Sequence, residues 1–249
     1  MSDDITSEPH SIKCAINTYA VRVFREIADQ DYIAARVCYH NGLIPQYLAL
    51  AQQCIEKYLK AILLFNRVEA KKVQHSIDQC LLKTKELKFE LELNDNVYEF
   101  IKRLQKNTPS RYFERSHHTD PYEVWKLDET VWFIRRYCRV LDYEIETENK
   151  IVNSLSLELE SIKNAVSNPL AYKIVGGLLE AILEKKGHLS RPALIYKNLY
   201  YSTSSRRRVQ SEEGYYRSSY APAFQHPEII PYLDRYIKID RKTKDLSVK

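Results

Sequence analysis

From Val124 onward the apolar residues fall at alternating intervals of three and four: Val124, Leu127, Val131, Ile134, Cys138, Leu141 and Ile145. A helix packed lengthwise against other helices satisfies such an a/d seam. Its start is marked as well. Asp120 can cap, Pro121 suits a first turn, and Glu123 stands three residues on, as in a capping box. The phase continues through Val152, Leu155, Leu159, Ile162 and Val166, with Glu148 breaking the apolar series and no Gly or Pro between Tyr122 and Asn168. The spacing predicts one very long helix, or two nearly collinear ones with a kink near Glu148.

Upstream, the same period recurs in shorter runs. Residues 1–12 are polar and fray; Ile12 to Phe24 is a weak helical stretch. Asp29-Gln30-Asp31 introduces a helix with Tyr32, Ala35 and Tyr39, which stops near Asn41-Gly42. Pro45 starts the next, with a core face of Leu48, Gln52, Ile55, Leu59 and Ile62 beside Ala51 and Tyr58, ending near Asn66. His75 opens a third segment through Ile77, Leu81 and Leu82. Asn94-Asp95 precedes a helix carrying Val97, Phe100, Ile101 and Leu104. Downstream, Asn168-Pro169 is expected to open a helix through Ile174, Leu178 and Ile182. Gly176-Gly177 inside it points to close contact with a neighbouring helix. Short helices are expected from Ser190 to Leu199 and from Pro227 to Ile237, with an exposed basic loop around Arg206, Arg207 and Arg208. The pair of helical runs from Leu178 to Leu199 only faintly resembles a helix-turn-helix.

Five glycines among 249 residues leave little turn material for a sandwich or barrel, so the fold class is all-α. Charge is unevenly placed. Residues 187–249 hold twelve Lys and Arg against six Asp and Glu, a balance of +6, whereas residues 1–186 balance at −1. The tail also carries eight of the nineteen tyrosines, and basic groups among aromatics suit a phosphate backbone and its bases, though a solvated basic tail has the same composition. Cys14, Cys38, Cys54, Cys80 and Cys138 lack metal-ligand spacing, so neither a metal nor a disulfide is expected. No cofactor motif occurs. No apolar run approaches ~18 residues and no basic-then-apolar leader opens the chain, so the expectation is a cytoplasmic protein without membrane contact.

Several landmarks go further. Asp31-Tyr32-Ile-Ala-Ala-Arg36 precedes Gln52-Gln53-Cys-Ile-Glu56-Lys57-Tyr-Leu-Lys60-Ala61, His75 follows, and Ser110-Arg111-Tyr112 stands before the last seam. This order resembles the HEPN family, whose pattern is D-Y-x-x-A, then Q-Q-x-x-E-K-x-x-K-A, a histidine opening the third helix, and R-Y before the last. The resemblance implies an antiparallel four- to five-helix bundle with a long last helix and a smaller, mostly helical extension. The expected segments are an N-terminal stretch over 1–27, the HEPN-type bundle over 28–148, and a helical, basic, Tyr-rich region over 149–249. Gln52, Glu56 and Lys60 share one helix face beside the core. Without the resemblance they read as a solvated ladder; with it, a Glu56–Arg111 pairing is expected.

Many HEPN proteins carry R-x(4–6)-H near the last helix and cleave RNA without metal. Arg111-Tyr-Phe-Glu-Arg115-Ser-His117-His118 meets that spacing to both histidines. The resemblance therefore implies Arg111 as the phosphate-holding group and His117 or His118 as the proton mover, with Tyr112 and Arg115 alongside. Two departures are visible: Tyr112 stands where active members carry a small polar residue, and Pro121 resets the helix just beyond the histidines. The resulting expectation is a homodimer acting on RNA as a toxin or defence-type ribonuclease, with Arg206, Arg207 and Arg208 extending the contact. The alternative is a non-catalytic module that binds a nucleotide or a nucleotidyltransferase-type antitoxin partner. The R-x4-H-x-Y motif that such a partner modifies is not matched, since Thr119 and Asp120 follow His118.

Overall fold

The computed structural model describes residues 8–71, 73, 75–107, 117–119, 122–146, 150–166, 172–202, 217–219, 221–239 and 244–245. Among them the architecture is an all-α bundle. Helix α1 (His10–Tyr19) passes through a π-helical turn (Ala20–Arg25) directly into α2 (Glu26–His40). The expected start at Asp29 is therefore interior to a helix. A wider turn changes the phase of the side chains beyond it, and here buried Arg25 donates to the carbonyl of Cys138. After Asn41, Gly42 at φ +77° reverses the chain, a conformation that suits a residue without Cβ.

Helix α3 (Ile44–Phe65), about 33 Å long at 1.5 Å per residue, is the central strut. Its 3.6-residue period brings Leu48, Ala51, Ile55, Tyr58, Leu59 and Ile62 into the core, all buried, as the sequence pattern requires. Asn66 caps its end. Helix α4 (Ile77–Lys83) starts behind Ser76, whose hydroxyl accepts from Gln79 N–H, and a 3₁₀ turn (Thr84–Glu86) follows. Helix α5 (Asp95–Asn107) is capped by Asn94, whose side-chain oxygen accepts from Val97 N–H. Helix α6 (Glu123–Arg135) runs beside α3 and α5.

Two expectations about α6 are corrected. Asp120 and Pro121 lie outside the described residues, but Tyr122 occupies the N-cap position, so Glu123 is the first helical residue and its carboxylate pairs with Arg103 of α5. The long helix also does not exist. It stops at Arg135; Cys138 and Leu141 still reach the core, from turn backbone, and a hairpin follows of β2 (Glu144–Glu146) and β3 (Ile151–Asn153). Ile145 lies opposite Val152, so the same apolar series is satisfied by cross-strand pairing. Ser154 locks the hairpin base: its hydroxyl donates to Leu141 O and accepts from Tyr143 N–H. Helix α7 (Leu155–Asn164) then returns Ile162 to the core.

Helix α8 (Leu178–Glu184) begins later than expected, because Gly176 turns the chain at φ +68° and Gly177 takes the N-cap. The close contact expected of the glycine pair is present at Gly177: a Cβ there would overlap Glu180 Oε2 and stand 2.9 Å from Arg135 Nη2 on α6. Helix α9 (Arg191–Ile195) follows. Leu179, Ile182, Leu194 and Tyr201 join the same apolar core as α2, α3 and α6. Strand β4 (Arg217–Ser219) pairs antiparallel with β1 (His117–Thr119). Helices α10 (Pro222–Gln225) and α11 (Ile230–Leu233) gather around a small separate cluster of Ala223, Ile230 and Ile239. No helix among the described residues is long and apolar enough to cross a membrane.

Candidate functional site

The face of α3 that carries Gln52, Glu56 and Lys60 is built one turn per residue. Gln52 is half-buried. Glu56 is buried, and Lys60 Nζ donates to its Oε1 at 2.6 Å. His75, just before α4, brings Nδ1 to 3.3 Å from the same oxygen while its side chain stays 80% exposed. Beneath them, burial pushes the Cys80 thiol up to about 12, so it stays protonated. Arg111, the expected partner of Glu56, lies outside the described residues, as do Tyr112, Arg115, Arg206, Arg207 and Arg208.

Backbone is described for His117 and His118. They form successive positions of β1, a strand rather than a helical face, opposite Ser219 and Ser218. Thr119, next along, is buried and lies opposite Arg217. The histidine segment is thereby joined to the basic C-terminal stretch.

Most of the motif in α2 serves the interior instead. Asp31 pairs with Lys57, tying α2 to α3. Tyr32 donates to Asp128 Oδ1 at 2.7 Å and accepts from Asn198 Nδ2 at 2.8 Å. Arg36, fully buried, grips the Asp128 carboxylate and also donates to the carbonyls of Ala193 and Tyr196. Burial pushes the Asp128 carboxyl up, and Arg36 and the Tyr32 hydroxyl oppose that rise. A second network lies one turn away. Arg135 donates to Asp29 through Nε and Nη2 and to Glu180 through Nη1 and Nη2, and Tyr58 donates to Asp29 as well. These buried charges are stable in place because each is paired and hydrogen-bonded.

Sequence reasoning missed Asp29, Asp128, Arg135, Glu180 and Asn198 as structural groups. One signal was available: Arg135-Arg136 interrupts an apolar seam, and a cation inside such a seam needs a buried acid. Among the described residues no group of three or more His, Cys, Asp or Glu side chains is arranged to hold a metal ion.

The same stretch of chain, residues 21–141, matches the family model of the HEPN domain. Residues 21–141 are a HEPN domain. The match opens in the π turn and closes at Leu141, where the core yields to the hairpin. No curated protein and no solved structure matches the chain. Within the HEPN domain, Asp31, Tyr32, Arg36 and Lys57 join helices, and buried Glu56 takes both Lys60 and the largely exposed His75 on one carboxylate oxygen.

Proposed function

We propose that this HEPN domain acts on RNA as a metal-independent endoribonuclease of the toxin or defence type. One observation carries the reading: the strand holding His117 and His118 pairs with Arg217–Ser219, so the candidate proton movers and the basic, tyrosine-rich tail are adjacent along one ladder. A phosphodiester chain bound by the tail would run toward the histidines, with phosphate charge met by Arg and bases stacked on Tyr.

The chemistry asks for little else. The 2′-hydroxyl of RNA attacks its own phosphodiester, leaving a 2′,3′-cyclic phosphate and a free 5′-hydroxyl. Arg111 would hold the phosphate charge as it grows, and His117 or His118 would transfer a proton. In this reading two copies meet so that both contribute to one cleft.

The test is cleavage of total RNA and tRNA in EDTA by the wild type, Arg111→Ala and the His117→Ala/His118→Ala double variant. Cleavage by the wild type that both variants lose supports the ribonuclease. Equal background from all three, with native circular dichroism, rejects it and favours a non-catalytic module that binds a nucleotide or a nucleotidyltransferase-type partner. Sedimentation of the same samples tests the dimer.

A further inference from the structure

Helices α1 and α2, joined through the π-helical turn, form one long rod with an apolar stripe on its outer side. Ile12, Tyr19, Val23, Ile27 and Val37 are each between 37% and 54% exposed, and half-buried Ile16 and Ala34 lie among them. From Ile12 the series runs Ile16, Tyr19, Val23, Ile27, Gln30, Ala34 and Val37, in steps of three or four residues. Such steps keep side chains in one stripe along a helix. The two successive steps of four, Tyr19 to Val23 and Val23 to Ile27, fall at the π-helical turn (Ala20–Arg25). That turn takes an extra residue, so the stripe keeps its side of the rod where a regular helix would carry it round.

The fold does not need this stripe. Other positions hold the rod to the bundle: Ala20, Ala28, Tyr32 and Ala35 are buried in the core. Arg67, just beyond α3, donates to Asn17 Oδ1 at 2.9 Å and to the Lys13 carbonyl at 3.2 Å. A run of half-exposed apolar side chains at coiled-coil spacing marks a surface that takes another helix. The stripe also complements itself. Read back from Val37, its steps match those read forward from Ile12 to within one residue. Two rods lying antiparallel set Ile12 against Val37, Ile16 against Ala34, Tyr19 against Gln30 and Val23 against Ile27. Charge agrees with this. Exposed Arg22 and half-buried Glu26 flank the stripe at its midpoint, and neither is in an ion pair among the described residues. In the antiparallel arrangement Arg22 stands across from Glu26 of the partner subunit, and symmetry repeats the contact.

We propose that the stripe from Ile12 to Val37 is the docking surface for a second copy of this chain, paired antiparallel about a two-fold axis. The proposal concerns association alone and holds whether or not the protein cleaves RNA. The contact uses the same patch on both copies, so it closes at a dimer. A strip about 38 Å long and about 10 Å wide is small for a specific interface, so the dimer is expected to dissociate on dilution.

Sedimentation velocity of the full chain over a concentration series tests this, for the wild type, Val23→Glu, Arg22→Glu and Arg22→Glu/Glu26→Arg. The wild type is expected to pass from monomer to dimer as concentration rises. Val23→Glu and Arg22→Glu are each expected to raise the dissociation constant at least about tenfold. Circular dichroism should not change, because both positions are exposed. The double charge reversal is expected to restore association. Orientation is tested by cross-linking. Ile12 and Val37 lie about 38 Å apart on one rod, far beyond the reach of a disulfide. In a Cys14→Ser/Cys38→Ser background, Ile12→Cys/Val37→Cys can therefore form that bond only between copies. Oxidation is expected to give a covalent dimer from this variant and not from either single one. A wild type that stays monomeric up to its highest soluble concentration overturns the proposal. A dimer that Val23→Glu leaves intact also overturns it, because the copies then meet elsewhere. Cross-linking through Ile12→Cys alone overturns the antiparallel arrangement.

Discussion

Arg135 binds Glu180 in fork-to-fork fashion, Nη1 to Oε1 at 2.7 Å and Nη2 to Oε2 at 2.8 Å, from two segments 45 residues apart. The pair attaches α8 to the HEPN domain from inside the core. Burial pushes the Glu180 carboxyl up, but Arg135 and the Ile174 N–H outweigh it and hold the carboxyl below the ordinary 4.5. A group depressed in the folded state gives its stability above the unfolded value and loses it as pH falls through the folded one. Stability should therefore decline as pH drops below about 4.5, and Glu180→Gln should remove that part of the decline. Denaturant titrations at pH 7 and across the acid range check this; parallel curves for the two proteins would refute it.

The Arg36–Asp128 pair should behave as a buried ion pair. Asp128→Ala leaves Arg36 uncompensated and is expected to cost about 3–5 kcal/mol. Replacing both residues by apolar groups of similar volume should recover much of that loss. A double-mutant cycle by denaturant unfolding measures it, and additive single losses would count against the pairing.

Gly176 and Gly177 should differ. Alanine at Gly177 drives Cβ into the Arg135–Glu180 fork, and overpacking of this kind costs about 1–3 kcal/mol. Alanine at Gly176 meets nothing within 4 Å, and its cost is the strain of φ +68°, on the order of 1 kcal/mol. Combining Gly177→Ala with Glu180→Gln should give a loss smaller than the sum of the two, because both disturb one contact.

Replacing Arg206, Arg207 and Arg208 by alanine should weaken RNA binding and flatten its salt dependence, by roughly 2 in the slope of log K against log salt for three single-strand contacts. The cleavage rate at saturating RNA should change little. An unchanged slope would remove these arginines from the interface.

The bundle was legible because its helices are amphipathic with a simple period. Leu48, Ile55 and Leu59 share a stripe that tertiary packing had only to accept. The long helix was misread because Ile145 and Val152 fit a heptad and a cross-strand pair equally well, and nothing nearby in sequence separates the two. Asp29 resembled a helix start, since acids at N-termini are favoured and buried acids are rare; its partner, Arg135, lies 106 residues away. The candidate site was legible as residue types at a spacing. Its contacts were not: that Glu56 meets His75, and that His117–Thr119 meets Arg217–Ser219, depends on how distant segments return to the bundle.

That last return has a consequence for biosynthesis. The strand opposite the histidines lies about a hundred residues further along the chain, so the ribosome finishes the whole HEPN domain well before β4 exists. At roughly 5–20 residues per second, the nascent chain spends seconds folded but without that ladder. Whatever the ladder contributes to the activity proposed above is therefore acquired only after the HEPN domain itself has been made.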